Sequence, residues 1–324
     1  MRNVPIDVMR AVSMLYIVGF WHLLDYTGVV AWHYNPLTYG LTVLALALFV
    51  LISGFLTARK DGGLARGEIW SFYRTRFWRI YVPFVIASGL FLAAGVSDTH
   101  TLLKGVTLVG MLLAPPPNTL WFVNMIVLFY LIAPLLIGLR GNQVAYIALC
   151  AVIVGAMILY QAATGRIDVR LILYFPCFVA GIFMAARPLP SSTLSLAGLL
   201  LLAALSLAIT LARPSATLET DPWAVPWMLF GSIAVFVVVM RAGQNLKAPA
   251  FLIQLSEASF FMYLLHRPIY LWMEKIVWFP SNEKEVPYLL FVCLPIVGIV
   301  AWLCQRAYTG FLQPRKVLVA APGG

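Results

Sequence analysis

Ten apolar runs divide the sequence, and each is close to the length that a helix needs to cross a membrane. A transmembrane helix requires about 20 predominantly apolar residues. Within lipid the backbone must satisfy its own hydrogen bonds, which favours helices. We therefore predict an all-α fold, a polytopic transmembrane helical bundle of about ten spans. The runs are 8–30, 38–58, 79–97, 120–139, 144–163, 169–186, 193–212, 224–240, 254–274 and 286–307.

One further apolar segment, 102–113, is too short to span and is followed by Pro115, Pro116 and Pro117. We expect it to be a re-entrant or interfacial piece. The chain shows no internal repeat and no low-complexity linker. We predict a single integral membrane domain, 1–316, followed by a short cytoplasmic tail, 317–324.

The balance of apolar and charged residues supports a membrane protein. Of 324 residues, 62% are hydrophobic and 10% are charged, whereas soluble domains carry about 25% charged residues. The apolar runs leave no room for a soluble nucleic-acid-binding domain, so the net charge of +10 is assigned to loops.

Placing both termini in the cytoplasm puts 15 of the 22 cations on that side, as the positive-inside rule expects. These are Arg2, Arg10, Arg59, Lys60, Arg66, Arg74, Arg76, Arg79, Arg140, Arg187, Arg241, Lys247, Arg306, Arg315 and Lys316.

The four cysteines give no indication of a metal site or a redox site. All of them fall inside apolar runs, and no two are spaced as a CxxC pair. We expect small buried side chains and no metal. The positions are Cys150, Cys177, Cys293 and Cys304.

Polar side chains within the first span are candidates for function, because such groups are costly in lipid. Asp7 and Arg10 lie at its cytoplasmic mouth. His22 is twelve residues further on, about 18 Å higher at 1.5 Å per residue. Asp25, three residues later on the same helical face, could fix the tautomer of His22 and raise its basicity. The alternative is that His22 and Asp25 form a structural polar pair.

The ninth span carries a second histidine, His266, at a depth similar to that of His22. We predict that His266 faces the same interior site, and that Tyr263, one turn below, extends its polar wall. The alternative is a histidine hydrogen-bonded to backbone carbonyls that Pro268 leaves free.

Three arginines, Arg74, Arg76 and Arg79, precede Pro83 at the start of the third span. They could anchor the topology. They could equally clamp phosphate groups, which guanidinium groups bind bidentately. Their spacing does not decide between the two.

Six motifs in chain order resemble those of one family. They are Asp7, Arg10, Ala11 and His22; FVLISGFLTARK at 49–60; FYRTRFWRIYVP at 72–83; Trp121, Phe129, Tyr130 and Pro134; Phe178, Gly181 and Ile182; and Ser259, Phe260, Tyr263, Leu264 and His266. No single motif is specific, but their order over nearly the whole chain resembles acyltransferase family 3. That family comprises membrane-bound O-acyltransferases that act on cell-surface glycans.

Two positions depart from the family's pattern. Eleven residues separate Arg10 from His22, where members usually have ten, and one extra residue turns a helix by about 100°. The two side chains would share a face only if a bulge or partial unwinding absorbed that residue. Ile126 stands where many members carry a Glu, which removes an acidic role from the fourth span.

The resemblance implies acyl transfer, most often of acetyl, from cytoplasmic acyl-CoA (acetyl-CoA) to a sugar hydroxyl of an extracytoplasmic or lipid-linked glycan. It implies no permanently bound cofactor, and it fits a bacterial inner (plasma) membrane, where membrane lipid surrounds the protein. A transporter or exporter of a glycan or lipid intermediate is the alternative, because intramembrane histidines and broken helices also occur there.

Within the acyltransferase hypothesis, His22 is the general base and Asp25 or Arg10 orients it. A covalent acyl-histidine relay is the alternative chemistry. The residues assigned to the donor's phosphates are Arg74, Arg76 and Arg79, and those assigned to the acceptor are His266, Tyr263 and Trp121.

Overall fold

The computed structural model describes residues 3–23, 35–58, 66–190, 192–213, 220–243, 247–277, 279 and 282–312. Within these ranges the chain is helical apart from turns and short connections, and it forms no strand. The helices are α1 (Val4–Tyr16, continued by a π-helical turn, Ile17–Trp21), α2 (Pro36–Ala58), α3 (Arg66–Arg76, a π-helical turn at Phe77–Tyr81, then Val82–Ala94), α4 (Thr99–Val106), α5 (Trp121–Leu139), α6 (Gln143–Thr164), α7 (Arg170–Ala185), α8 (Thr193–Ala212), α9 (a π-helical turn at Trp227–Gly231, then Ser232–Ala242), α10 (Ala250–Ile276) and α11 (Asn282–Tyr288, a π-helical turn at Leu289–Cys293, then Leu294–Leu312).

Several sequence predictions fall outside the described residues. These are the tail 317–324, Asp25, and five of the cations used for orientation: Arg2, Arg59, Lys60, Arg315 and Lys316.

The helices confirm the prediction of an all-α polytopic membrane bundle. Eight of the described helices are long and apolar enough to cross a membrane: α1, α2, α3, α5, α6, α8, α9 and α11. The other two predicted spans correspond to α7, an apolar helix of 16 residues, and α10, of 27 residues. The predicted non-spanning segment forms α4, of eight residues, and a 3-10 turn at Val109–Met111.

Two glycines allow α2 and α7 to pack with their backbones in contact. A Cβ atom on Gly54 would lie 2.2 Å from the carbonyl oxygen of Phe178, and one on Gly181 would lie 2.1 Å from the carbonyl oxygen of Leu51. Small residues permit such approach between membrane helices, where van der Waals packing replaces the hydrophobic effect. The motifs around Gly54 and Gly181 are therefore the two sides of one helix interface.

α1 lies between α2 and α10 and runs parallel to α10. Ser256 of α10 donates to Oδ1 of Asp7 over 2.8 Å, and Arg10 donates from Nη2 to Oγ of Ser259 over 2.9 Å. Further along both helices, the rings of His22 and His266 are in contact. We call the end of the bundle where α1 begins the proximal end, and the opposite end the distal end.

α6 and α8 form the periphery of the bundle. Their side chains are almost all apolar, yet few of them are buried against other parts of the protein. Val144 and Leu194 are 79% and 83% exposed. An apolar surface of this kind is solvated by lipid tails, which leaves the inner helices to form the site.

Candidate active site

A π-helical turn sets the direction of His22. In a regular α-helix, the twelve steps from Arg10 to His22 would leave the two side chains about 120° apart. The turn at Ile17–Trp21 takes up one extra residue, which reduces the difference to about 20°. Both side chains consequently face α10: Arg10 contacts Ser259 and His22 contacts His266.

His22 and His266 form a stacked imidazole pair. Their ring planes are 5° apart and their centroids are 4.8 Å apart. His266 is fully buried, and His22 is partly exposed. The predicted proximity of the two histidines is therefore found, with one ring contributed by each of two parallel helices.

The tautomer of His266 is fixed by its own helix. Its Nδ1 lies 2.8 Å from the carbonyl oxygen of Tyr263 and 3.2 Å from that of Met262. Since a carbonyl only accepts, Nδ1 carries the proton and Nε2 presents a lone pair. These carbonyls differ from the one that the alternative interpretation requires, because Pro268 frees the carbonyl four residues before it, that of Leu264.

Each ring of the pair also has a buried nitrogen that finds no hydrogen-bond partner among the described residues. For His266 this atom is Nε2, and for His22 it is Nδ1. Buried polar atoms are rarely left unsatisfied, and those that are commonly mark catalytic or ligand-binding positions. The pair can therefore accept or exchange a proton with a group that reaches it.

Tyr263 stands against both histidines and fixes the start of α5. Its ring centroid is 5.7 Å from that of His266, 6.4 Å from that of His22 and 5.6 Å from that of Phe122. Its hydroxyl donates to the carbonyl oxygen of Thr119, immediately before α5. The start of α5 therefore lies at the level of the histidine pair.

A cavity of about 590 Å³ leads from the proximal part of the bundle to Tyr263. Six helices surround it: α1, α2, α3, α5, α10 and α11. Neither histidine lines it; the Tyr263 ring lies between the cavity and the pair. Its polar lining consists of Arg10, Ser53, Arg79, Tyr130, Glu257, Ser259, Gln305, Tyr308 and Thr309, and its apolar lining includes Met14, Phe49, Ile52, Phe122, Val123 and Ile126.

Arg10 belongs to the cavity and not to the histidine pair. The helical rise separates it from His22 by about 18 Å, too far for a hydrogen bond that would orient the imidazole. Its hydrogen bond to Ser259 directs the guanidinium toward the cavity lining. Of the two residues expected to orient His22, Asp25 lies outside the described residues, and Arg10 is not brought into contact with it.

The three arginines of α3 have different surroundings. Arg79 is exposed and lines the cavity from within the π-helical turn at Phe77–Tyr81. Arg76 stacks on the ring of Phe72, with 3.5 Å from Cζ to the centroid, and none of the described residues offers its buried Nε a hydrogen bond. Arg74 is exposed and is not part of the cavity lining. The structure therefore brings one of the three, Arg79, directly to the cavity.

Trp121 lies outside the cavity, in a cluster that the sequence interpretation missed. The guanidinium of Arg170 sits 4.1 Å above its ring and forms a two-point ion pair with Asp168, at 2.9 and 2.7 Å. The ring of Tyr174 is 5.9 Å away. The two-residue spacing of Asp168 and Arg170 at the start of a span was the available signal.

Tyr270 is a second residue that the sequence interpretation missed. Its hydroxyl donates to the carbonyl oxygen of Val18 over 3.0 Å, and its ring lies 6.1 Å from that of His266. Its position, four residues after His266 and thus on the same helical face, was the available signal.

Comparison with known proteins identifies the family of the chain. The family model for an acyltransferase domain, that of acyltransferase family 3, matches residues 3–305. No curated protein and no solved structure matches the chain. The matched region includes both histidines and the helices that surround the cavity, apart from the last seven residues of α11. The chain therefore belongs to acyltransferase family 3 and is an integral membrane acyltransferase.

Proposed function

We propose that the protein is an O-acyltransferase that moves an acyl group, acetyl in the first instance, from cytoplasmic acyl-CoA to a sugar hydroxyl of an extracytoplasmic or lipid-linked glycan. One observation carries the proposal. A cavity with arginines in its lining ends at Tyr263, and Tyr263 contacts both members of the stacked histidine pair. The site thus has an entrance suited to an anionic donor and an end suited to proton transfer.

The proximal part of the cavity suits the charged end of a coenzyme thioester. Arg79 is exposed in its lining, and Arg10 of α1 also lines it. Guanidinium groups bind phosphate through two hydrogen bonds in a fixed geometry. The remaining lining, rich in Phe, Ile, Met and Val side chains, suits the less polar arm that carries the acyl group. We assign Arg79 and Arg10 to the donor and leave Arg74 as a topology anchor.

We infer the orientation in the membrane from the Lys and Arg residues that the sequence analysis placed on the cytoplasmic side. The positive-inside rule places the proximal end in the cytoplasm, where acyl-CoA is available. The histidine pair then lies toward the opposite leaflet, where an extracytoplasmic or lipid-linked glycan can reach it. A bacterial inner membrane is the setting that this arrangement implies.

The chemistry is that of general base catalysis. The acceptor hydroxyl oxygen adds to the thioester carbonyl carbon while His22 takes the hydroxyl proton. The tetrahedral intermediate then collapses, the C–S bond breaks, and the imidazolium returns its proton to the leaving thiolate. His266, with its proton held on Nδ1 by the Met262 and Tyr263 carbonyls, offers the Nε2 lone pair to a neighbouring hydroxyl of the acceptor, whose donated hydrogen bond positions the sugar. Membership of an acyltransferase family favours this chemistry over the exporter alternative.

The experiment is transfer of labelled acetyl in isolated membranes. Membranes that contain the protein, incubated with acetyl-CoA labelled in the acetyl carbonyl, should yield labelled glycan or lipid-linked sugar. Mild alkali should release the label, because it cleaves oxygen esters. Membranes of the same cells without the protein are the control. Absence of label with acetyl-CoA and with other short-chain acyl-CoA donors would contradict the proposal.

A further inference from the structure

Thr119 combines three features that its position before α5 does not require. Its φ angle is +54°, in the left-handed region that residues with a branched Cβ rarely occupy. It is 7% exposed, and its buried Oγ1 has no hydrogen-bond partner within the part of the chain that the structure describes. A strained backbone and an unsatisfied buried hydroxyl both cost free energy, and such features concentrate at active sites and ligand clamps.

One residue connects Thr119 to the histidine pair. The carbonyl of Thr119 accepts the hydroxyl of Tyr263, and the Tyr263 ring contacts His22 and His266. Thr119 is thereby held at the hydroxyl end of Tyr263, which lines the cavity, although Thr119 itself is not part of that lining. The unpartnered Oγ1 of Thr119 and the unpartnered ring nitrogens of the pair lie around the same tyrosine.

The first turn of α5 adds a positive electrostatic potential at this place. Trp121 opens the helix, and the next two residues, Phe122 and Val123, line the cavity. The N–H of Trp121 already donates to the carbonyl of Pro117. The turn therefore offers an anion its partial positive charge and the N–H groups of Phe122 and Val123. An uncharged hydroxyl donor beside such a turn matches the composition of an oxyanion site.

We propose that the Thr119 hydroxyl and the first turn of α5 stabilise the oxyanion of the acyl-transfer intermediate. The inference rests on the proposed function. When the acceptor oxygen adds to the thioester carbonyl, the C=O electron pair moves onto oxygen, and Thr119 Oγ–H donates to that oxygen. The hydrogen bond persists until the C–S bond breaks and the carbonyl re-forms. Donors that act on charge present only in the transition state raise kcat and have little effect on substrate binding.

Isosteric substitution tests the role of the hydroxyl. Thr119→Val keeps the shape and the branched Cβ, so backbone strain is unchanged. Removal of one oxyanion donor typically lowers kcat by about 100- to 1,000-fold, and we expect this with KM for acyl-CoA within about twofold. Thr119→Ser should restore most of the activity. The matched control is Thr210→Val, since Thr210 is also buried but its hydroxyl bonds within α8; its kcat should stay near that of the wild type.

A second variant separates catalysis from folding. Thr119→Gly removes the penalty of the positive φ, so the protein should be at least as resistant to thermal unfolding in detergent, yet its kcat should fall as in Thr119→Val. A folded Thr119→Val enzyme with kcat near the wild-type value, or a Thr119→Gly enzyme with full activity, would overturn the inference. If the proposed function itself were wrong, the wild-type protein would transfer no acyl group. That result is distinguishable from a Thr119 variant that keeps wild-type activity.

Discussion

Tyr270 of α10 donates its hydroxyl to the carbonyl of Val18, in the π-helical turn of α1, over 3.0 Å. A π-helical turn leaves its carbonyls out of the regular α-helical pattern, and Tyr270 satisfies one of them. The bond fixes the turn against the helix that carries His266. The direction of His22 therefore depends on a local irregularity held in place by a residue 252 positions away in the chain.

Insertion of one Ala between Tyr16 and Ile17 should abolish transfer. The extra residue rotates His22 by about 100° relative to α10 and breaks its stacking on His266. Misplacement of a catalytic group by even 1 Å costs about 100-fold in rate, so we expect at least that loss. The measurement is the initial rate of labelled acetyl transfer at equal protein content in membranes. Insertion of one Ala after Gly141, in the exposed turn between α5 and α6, should leave most of the activity. Equal rates for the two insertions would contradict the role of the turn.

Arg79→Ala should raise the KM for the acyl donor more than Arg74→Ala does. Both arginines are exposed on α3, but only Arg79 lines the cavity, so Arg74 is a matched control. We expect KM for acetyl-CoA to rise roughly tenfold in Arg79→Ala, since a charge-assisted bond to an ionised group is worth about 1.5–3 kcal/mol. Added salt should raise KM of the wild type toward that of the variant, because it screens the same attraction. The same KM in both variants would reduce Arg79 to a topology anchor.

Gly54→Ala and Gly181→Ala should destabilise the bundle. Each new Cβ would lie closer than 2.5 Å to backbone atoms of the facing helix, which cannot rotate away. Overpacking of this kind costs about 1–3 kcal/mol, so each variant should unfold at a lower temperature in detergent. Gly155→Ala on α6 is the control, because a Cβ there meets no atom within 4 Å. Unchanged thermal stability of both interface variants would show that α2 and α7 do not pack as described.

The sequence was sufficient to predict the membrane helices and the proximity of the two histidines. Lipid requires long apolar helices, so run lengths alone located the spans. His22 and His266 then followed, because both lie at a similar distance from the proximal end of helices that run in the same direction.

The finer geometry could not be read from the sequence. A π-helical turn has no local composition that distinguishes it, so the sequence showed that an extra residue lies before His22 but not where the helix absorbs it. The different surroundings of Arg74, Arg76 and Arg79 arise from helix packing, which spacing does not specify. The positive φ of Thr119 and its contact with Tyr263, 144 residues later, give no signal in the sequence around Thr119.

The most direct test of the central claim is the rate of labelled acetyl transfer by His22→Ala. A general base contributes about 100- to 10,000-fold to the rate, so the variant should fall by at least 100-fold at equal protein content. The control is His100→Ala, which replaces an exposed histidine on α4. This variant should transfer acetyl at the wild-type rate. Transfer by folded His22→Ala at near the wild-type rate would contradict the assignment of the base, and with it the account of this site.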